Sequence, residues 1–202
     1  MQGLGNLVVF VDANVWFSRT LRDWIGMLYT TPDNPPFEVR WTEDVLAEVL
    51  YHLRRQHPDW EGSRITGIRD RLADTFEVGR VTDFTIGPDY KGRDVLDAHV
   101  HAAAVACEAD ILVTSNVTDF VWDGNESPYE VLTPDEFLML VDDAAPEFVA
   151  EVALRMCTYW LRLTGDAHLP RSLKDAGCPG FAGAVRQHLL ANADRLRDWA
   201  AG

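Results

Sequence analysis

The sequence predicts an α/β domain with a central parallel sheet flanked by helices, followed by an all-α C-terminal extension. Three observations predict it. Two short runs, "LVVFV" at 7–11 and the centre of "DILVT" at 110–114, are wholly apolar, the pattern of strands buried on both faces. Segments of helical periodicity alternate with them, as the crossover connections of a parallel sheet require. Beyond about residue 145 only helical patterning continues, which divides the chain into units at 1–143 and 144–202.

The elements follow in order. After the strand at 7–11 a helix lies within 16–29. Thr42 with Glu43 and Asp44 opens the next helix, whose apolar face carries Val45, Leu46, Val49, Leu50 and Leu53 to about Arg55. Ile65, Ile68, Leu72 and Phe76 mark a third helix from about 63 to 76, and a short strand is expected near 78–82. Asp94 opens an alanine-rich helix through Val100, Ala103, Ala104 and Cys107 that leads into the strand at 110–114. Residues 131–133 add a last strand before "TPDEF", where Thr133, Pro134 and Glu136 supply an N-cap, a first-turn proline and a capping box. In the extension Phe148, Val152, Met156, Trp160 and Leu163 mark one helical face, and a last helix covers Phe181 to Trp199.

Composition narrows the class. The chain has 202 residues, 47% hydrophobic and 25% charged, as a soluble globular protein with a sizeable core has. No apolar run reaches membrane-span length, and the first apolar stretch reaches Asp12 without a basic leader, so a cytoplasmic protein without membrane contact is expected. Cys107, Cys157 and Cys178 are widely spaced and odd in number, which fits a reducing compartment and shows no disulfide framework or zinc spacing. A net charge of −14 argues against nucleic-acid binding by the surface as a whole. The charge is uneven, however. Residues 121–151 contain nine Asp or Glu and no Lys or Arg, whereas 52–93 contain eight Lys or Arg, compatible with a local basic groove.

In parallel α/β sheets, ligands bind beyond the carboxyl ends of the strands. Asp12 lies just past the first strand; Asn116 and Asp119, in "TSNVTDF", lie just past the strand at 110–114. Asp94 and Asp97 stand at the start of the helix leading into that strand, and Glu48 borders the apolar face of its own helix. Singly, each has a plain structural use: Asp12 and Asn14 as helix caps, Asp94 and Asp97 as first-turn acids, Asn116 and Asp119 as turn residues, Glu48 as solvated surface. Together they would face one crevice, where carboxylates repel unless protonated or joined by cations. Oxygen ligands without His or Cys favour Mg²⁺ or Mn²⁺ over zinc. His99 and His101, two apart on a helix, point to different sides, so His99 is expected to pack or to support a neighbouring acid. Trp16, Trp24 and Trp41 are expected in the core or an interface.

Three stretches carry a family resemblance: "VVFVDANVWFS", the mid-helix glutamate of "EDVLAEVL", and "DVLDAHVHAAAVACEADILVTSNVTDF". They resemble the PIN-domain ribonucleases over about residues 7 to 137, and among these the VapC-type bacterial toxins with a helical C-terminal extension. The resemblance implies a metal-dependent endoribonuclease whose catalytic and metal site is built from Asp12, Glu48, Asp97 and a fourth group, either Asp119 or the amide Asn116. Asn14, Asp94 and Thr114 would be accessory. The cofactor would be Mg²⁺ or Mn²⁺, and the substrate a structured tRNA or rRNA. It also implies a small cognate antitoxin as partner, and a homodimer or a toxin–antitoxin hetero-oligomer.

Arg54, Arg55, Arg64, Arg69 and Arg71 are candidate RNA contacts, against the plain alternative of a solvated helix surface interleaved with acids. Three other functions compete. A PIN nuclease could serve RNA maturation. A PIN-like module could bind without cutting, although all four main acids are present. A phosphoryl-transfer enzyme using Asp12 as nucleophile would want an acid two residues on, where Asn14 stands.

Overall fold

The structure, a computed structural model, describes residues 7–32, 35–88, 90–120 and 127–201. Residues 121–126 of the acidic tract lie outside the described residues. The sheet has four strands, β1 (Leu7–Val11), β2 (Phe37–Arg40), β3 (Ile111–Val113) and β4 (Glu130–Leu132), in the order β2-β1-β3-β4 and parallel throughout. The ten described helices are α1 (Ala13–Phe17), α2 (Arg19–Thr30), α3 (Glu43–Gln56), α4 (Gly62–Thr75), α5 (Ala98–Ala106), α6 (Pro134–Ala144), α7 (Pro146–Thr164), α8 (Leu169–Asp175), α9 (Pro179–Ala191) and α10 (Ala193–Ala201). None is long and apolar enough to cross a membrane among the described residues.

Strand order fixes where a ligand can sit. The chain leaves β1 toward β2 on one side and returns over it to β3 on the other, so the β1/β3 pair is the topological switch point. There Val9 pairs with Ile111 and Val11 with Val113, and the Asp12 amide extends the ladder to the Val113 carbonyl at 3.0 Å. Asp12 and Thr114 are therefore the first residues past the two central strands.

Local signals explain most helix starts. The Thr42 hydroxyl accepts from the Val45 amide, and Thr133 with Glu136 makes the expected capping box at α6. The helix expected within 16–29 is two helices, because Ser18 breaks from α1 in extended geometry and caps α2 through its hydroxyl. The last helix, expected over 181–199, is likewise two, α9 and α10.

The strand expected near 78–82 is not formed. Residues 77–79 wind into a 3₁₀ turn, and only a single bridge, Trp41 to Arg80, touches the sheet edge. Gly79 permits that approach: a Cβ there would stand 1.8 Å from the Val39 carbonyl oxygen. The strand that does form on this side is β2, four residues whose apolar Phe37 and Val39 alternate with the ion-paired Glu38 and Arg40.

The core is continuous from the sheet into the C-terminal helices. Phe10, Trp24, Phe37, Phe137 and Phe181 are all fully buried, with Phe37 edge-on to Phe137 and Trp24 edge-on to Phe181 at 4.9 Å between centroids. Residues from both sequence halves thus share one apolar cluster.

Two glycines separate close approach from mere flexibility. Gly79→Ala is expected to lower stability by about 2–3 kcal/mol, because backbone must move to admit the methyl. Gly183→Ala, within α9 with nothing within 4 Å of its absent Cβ, is expected to raise it by about 0.5–1 kcal/mol. Urea unfolding of both variants checks the pair; equal effects would refute the contrast.

Candidate active site

The site begins with a buried carboxylate. Asp12 is 4% exposed, and three donors hold it: the Ala13 amide on Oδ1 at 2.6 Å, and on Oδ2 the Asn14 amide at 2.6 Å and the Thr114 hydroxyl at 2.7 Å. Burial raises its pKa in spite of them. Asn14 also donates to Thr114 Oγ1, and its own Oδ1 accepts from the Ser115 amide at 2.9 Å. The Asn116 amide in turn donates to Thr114 Oγ1. One hydroxyl and one carboxamide therefore lock the ends of β1 and β3 around Asp12. Asn14 and Thr114 enter this lock through their side chains, and Asn116 through its backbone N–H.

The other acids approach from neighbouring elements. Glu48, on α3, is bound by His99 from α5, with Nε2 2.9 Å from Oε1. A carboxylate can only accept, so Nε2 carries the proton, and that hydrogen bond raises the His99 pKa. His99 Nδ1 is buried without a hydrogen-bond partner among the described residues. Asp94 caps the 3₁₀ turn at 95–97 by accepting from the Leu96 amide, and Asp97 stands between that turn and α5. Asp119 lies in the 3₁₀ turn Val117–Phe120 after β3.

Electrostatics ties these groups together. The Asp97 carboxyl is pushed up to about 7, first by burial and then by the charges of Asp12, Asp94, Asp119 and Glu48. The same acids bear on Tyr90, whose phenol is raised by burial and by Asp97, Asp119, Asp94 and Asp12. Tyr90 donates to the Asp119 carbonyl at 2.9 Å, a contact that sequence reading missed. Gly92 makes room for it: a Cβ there would lie 2.1 Å from both the Asp119 carbonyl oxygen and the Tyr90 hydroxyl. The signal in the sequence was the tyrosine–glycine spacing in "DYKGRD", which points to no function by itself.

Among the described residues, no group of three or more His, Cys, Asp or Glu side chains stands where it could hold a metal ion. The acids share an electrostatic field without sharing one coordination sphere. An open set of hard oxygen donors, with crowded negative charge and with Asp12 and Glu48 already oriented by hydrogen bonds, suits a hydrated dication bound through one or two carboxylates. It suits zinc poorly, since the one nearby imidazole is engaged with Glu48.

The candidate RNA contacts separate. Arg54 closes the turn after α3 by donating to the Trp60 carbonyl at 2.6 Å, Arg55 lies over Tyr51, and Arg69 pairs with Asp70 on the surface. Arg64 and Arg71 instead line a groove of about 1140 Å³ whose lining also includes Asn14 and Ser115.

Charge crowding has a measurable cost. The folded protein keeps the Asp97 proton up to about pH 7, whereas an unfolded chain releases it near the ordinary carboxylate value, so stability falls as pH rises through that window. In EDTA at pH 7.5, Asp97→Asn is expected to be about 1–2 kcal/mol more stable than wild type, the half-buried carboxyl being screened by solvent. Thermal melts over pH 4–8 check this, and added magnesium is expected to raise the wild-type midpoint more than the variant's. A variant less stable than wild type across the range would refute the crowding.

Comparison with known proteins bears on the same elements. No curated protein and no solved structure matches the chain. A PIN-domain family profile matches residues 8–118, more than half of the chain, running from β1 into the 3₁₀ turn past β3. The buried aspartate at the switch point and the acids gathered around it thus lie within the matched region or at its edge, and the chain belongs to the PIN-domain family, whose members are in general metal-dependent nucleases.

Proposed function

We propose that the protein is a metal-dependent endoribonuclease that cuts structured RNA, a tRNA or an rRNA, at one or few sites. The observation that carries this proposal is the electrostatic convergence of five acids beyond the carboxyl ends of β1 and β3. Such crowding opposes folding and is characteristic of sites that use it. Asp12, Glu48, Asp97 and Asp119 would hold Mg²⁺ or Mn²⁺ as a hydrated ion, one or two of them directly and the others through its water, and Asn116, Asp94, Asn14 and Thr114 would assist.

A hard dication supplies Lewis acidity: it makes water acidic enough to attack phosphorus at neutral pH and offsets charge on the departing oxygen. The chain's own residues set the geometry. Thr114 and Asn14 fix Asp12 Oδ2, and His99 fixes Glu48 Oε1, so neither carboxylate must reorganise when substrate arrives. Burial pushes the Cys107 thiol up to about 11 and the Cys178 thiol up to about 12, which leaves both poor nucleophiles. Water would be the attacking group, and the products would carry 5′-phosphate and 3′-hydroxyl ends.

The resemblance of the sequence to VapC-type toxins supports a role in growth arrest in the cytoplasm, with a small antitoxin as restraining partner in a hetero-oligomer. Induction of the protein alone is expected to stop growth, and co-expression of a neighbouring small reading frame to restore it. Arrest-free induction would favour RNA maturation.

The decisive assay incubates the purified, partner-free protein with total cellular RNA in Mg²⁺ or EDTA, beside Asp12→Ala and Asp97→Ala. Discrete metal-dependent fragments are expected, reduced at least about 100-fold in either variant. A folded, Mg²⁺-supplied wild type that cuts no native RNA would replace the nuclease with a binding module. Equal cutting by the variants would displace the site.

A further inference from the structure

A groove of about 1140 Å³, whose lining includes Asn14 and Ser115, is not explained by the acid cluster. One side is formed by α2 and α4, with Arg19, Arg22, Arg64 and Arg71; the other is formed by α7, with Arg155, Tyr159 and Trp160. Resting on the nuclease reading of the acids, we propose that this groove is the track for a single-stranded RNA entering the active site, and that the C-terminal helices, outside the family match, build one of its walls.

Charge is the first support. The chain carries −14 overall, yet the groove is lined by five arginines and only two acids, Asp23 and Asp175. A local inversion of sign in an acidic protein draws a polyanion to that place and away from the rest of the surface. Arg22 is fixed, donating to the Trp16 and Phe17 carbonyls at 2.5 and 3.0 Å. Arg19 and Arg155 have acidic partners on their own helices, Asp23 at 3.7 Å and Glu151 at 3.1 Å. Exposed pairs of this kind are weak and exchange readily for phosphate.

Planar surfaces are the second. The His57 ring stacks on Trp60 at 3.7 Å and 2°, and the Arg64 guanidinium lies 3.6 Å from the Trp60 ring centre. Across the groove the Arg19 guanidinium lies over Trp160 at 5.0 Å, and Tyr159 is 59% exposed beside it. Guanidinium and aromatic planes beside a basic channel suit unpaired bases, whose faces a duplex hides. An acidic polypeptide would satisfy the arginines and leave the exposed Tyr159 ring without use.

Continuity is the third. The groove's lining includes Asn14, whose side-chain amide donates to Asp12, and Ser115, whose backbone amide donates to Asn14. The groove therefore shares part of its wall with the residues that hold the buried carboxylate.

The test uses the full chain in EDTA and the anisotropy of a fluorescein-labelled oligouridylate of about twelve nucleotides. Arg155→Gln and Tyr159→Ala change exposed side chains of α7, and their thermal midpoints confirm folding. Each is expected to weaken binding about tenfold, and Arg155→Gln to lower the salt slope by about one. A duplex of equal length is expected to bind more weakly than the single strand. Unchanged affinity in both variants would overturn the proposal, as would displacement of the oligonucleotide by polyglutamate at equal charge concentration, which would point to a protein occupant. Cleavage of total RNA by wild type with Mg²⁺ is followed in parallel. Weakened binding by the variants with no cutting by wild type leaves the groove standing and removes the nuclease; cutting with unaltered binding does the reverse.

Discussion

A carboxylate buried between two parallel strands must be held by donors or it will drive the strands apart. The Thr114 hydroxyl meets this need for Asp12, at the one place in the sheet where the chain's path reverses direction. Everything functional is arranged from that bond. It requires β1 and β3 to be neighbours in register, and it joins two buried groups, Thr114 being fully buried and Asp12 nearly so. Asn14 extends the hold to the backbone past β3, so the floor of the site is assembled from residues far apart in sequence but fixed within hydrogen-bond distance.

Around that floor the structure shows a conflict between stability and chemistry. Asp94, Asp97, Asp119 and Glu48 would each be more comfortable farther from Asp12, and the local backbone does not let them withdraw. Asp97 is pinned at the junction of a 3₁₀ turn and α5, and Asp119 by a turn that Tyr90 braces. His99 partly relieves the field by binding Glu48. The charge thus remains concentrated on the side facing the crevice, where a cation or a cation-bearing partner would be favoured.

Much of this was legible in the sequence because local signals and tertiary need coincide there. An apolar run ending in Asp12 can hardly be placed except at the end of a buried strand, and Thr133 with Glu136 specifies a helix start by itself. The strand β2 was not legible: four residues with two charges carry too little periodicity, and only pairing with β1 makes them a strand. Near 78–82 the apolar pattern suggested a strand, but Gly79 turns the chain after a single bridge. The acids could be named but not grouped, since grouping depends on strand order. Of the basic residues at 52–93, only those on the inner side of α4 reach the groove, and their counterparts Arg19 and Arg155 sit in segments that look like ordinary amphipathic helix.

The edge-on contact of Trp24 with Phe181 joins residues more than 150 positions apart. As the chain emerges from the ribosome, the strands β1 and β2 and the helix carrying Trp24 are complete long before Phe181 exists. Until then Trp24 and its neighbours on α2 lack their cover, and the cavity between α2 and α7 has only one side. A nascent chain can therefore hold Asp12 and Glu48 while lacking the finished surface beside them. That surface is therefore finished only after Phe181 and the helices around it have been made, so the order of translation itself delays its completion.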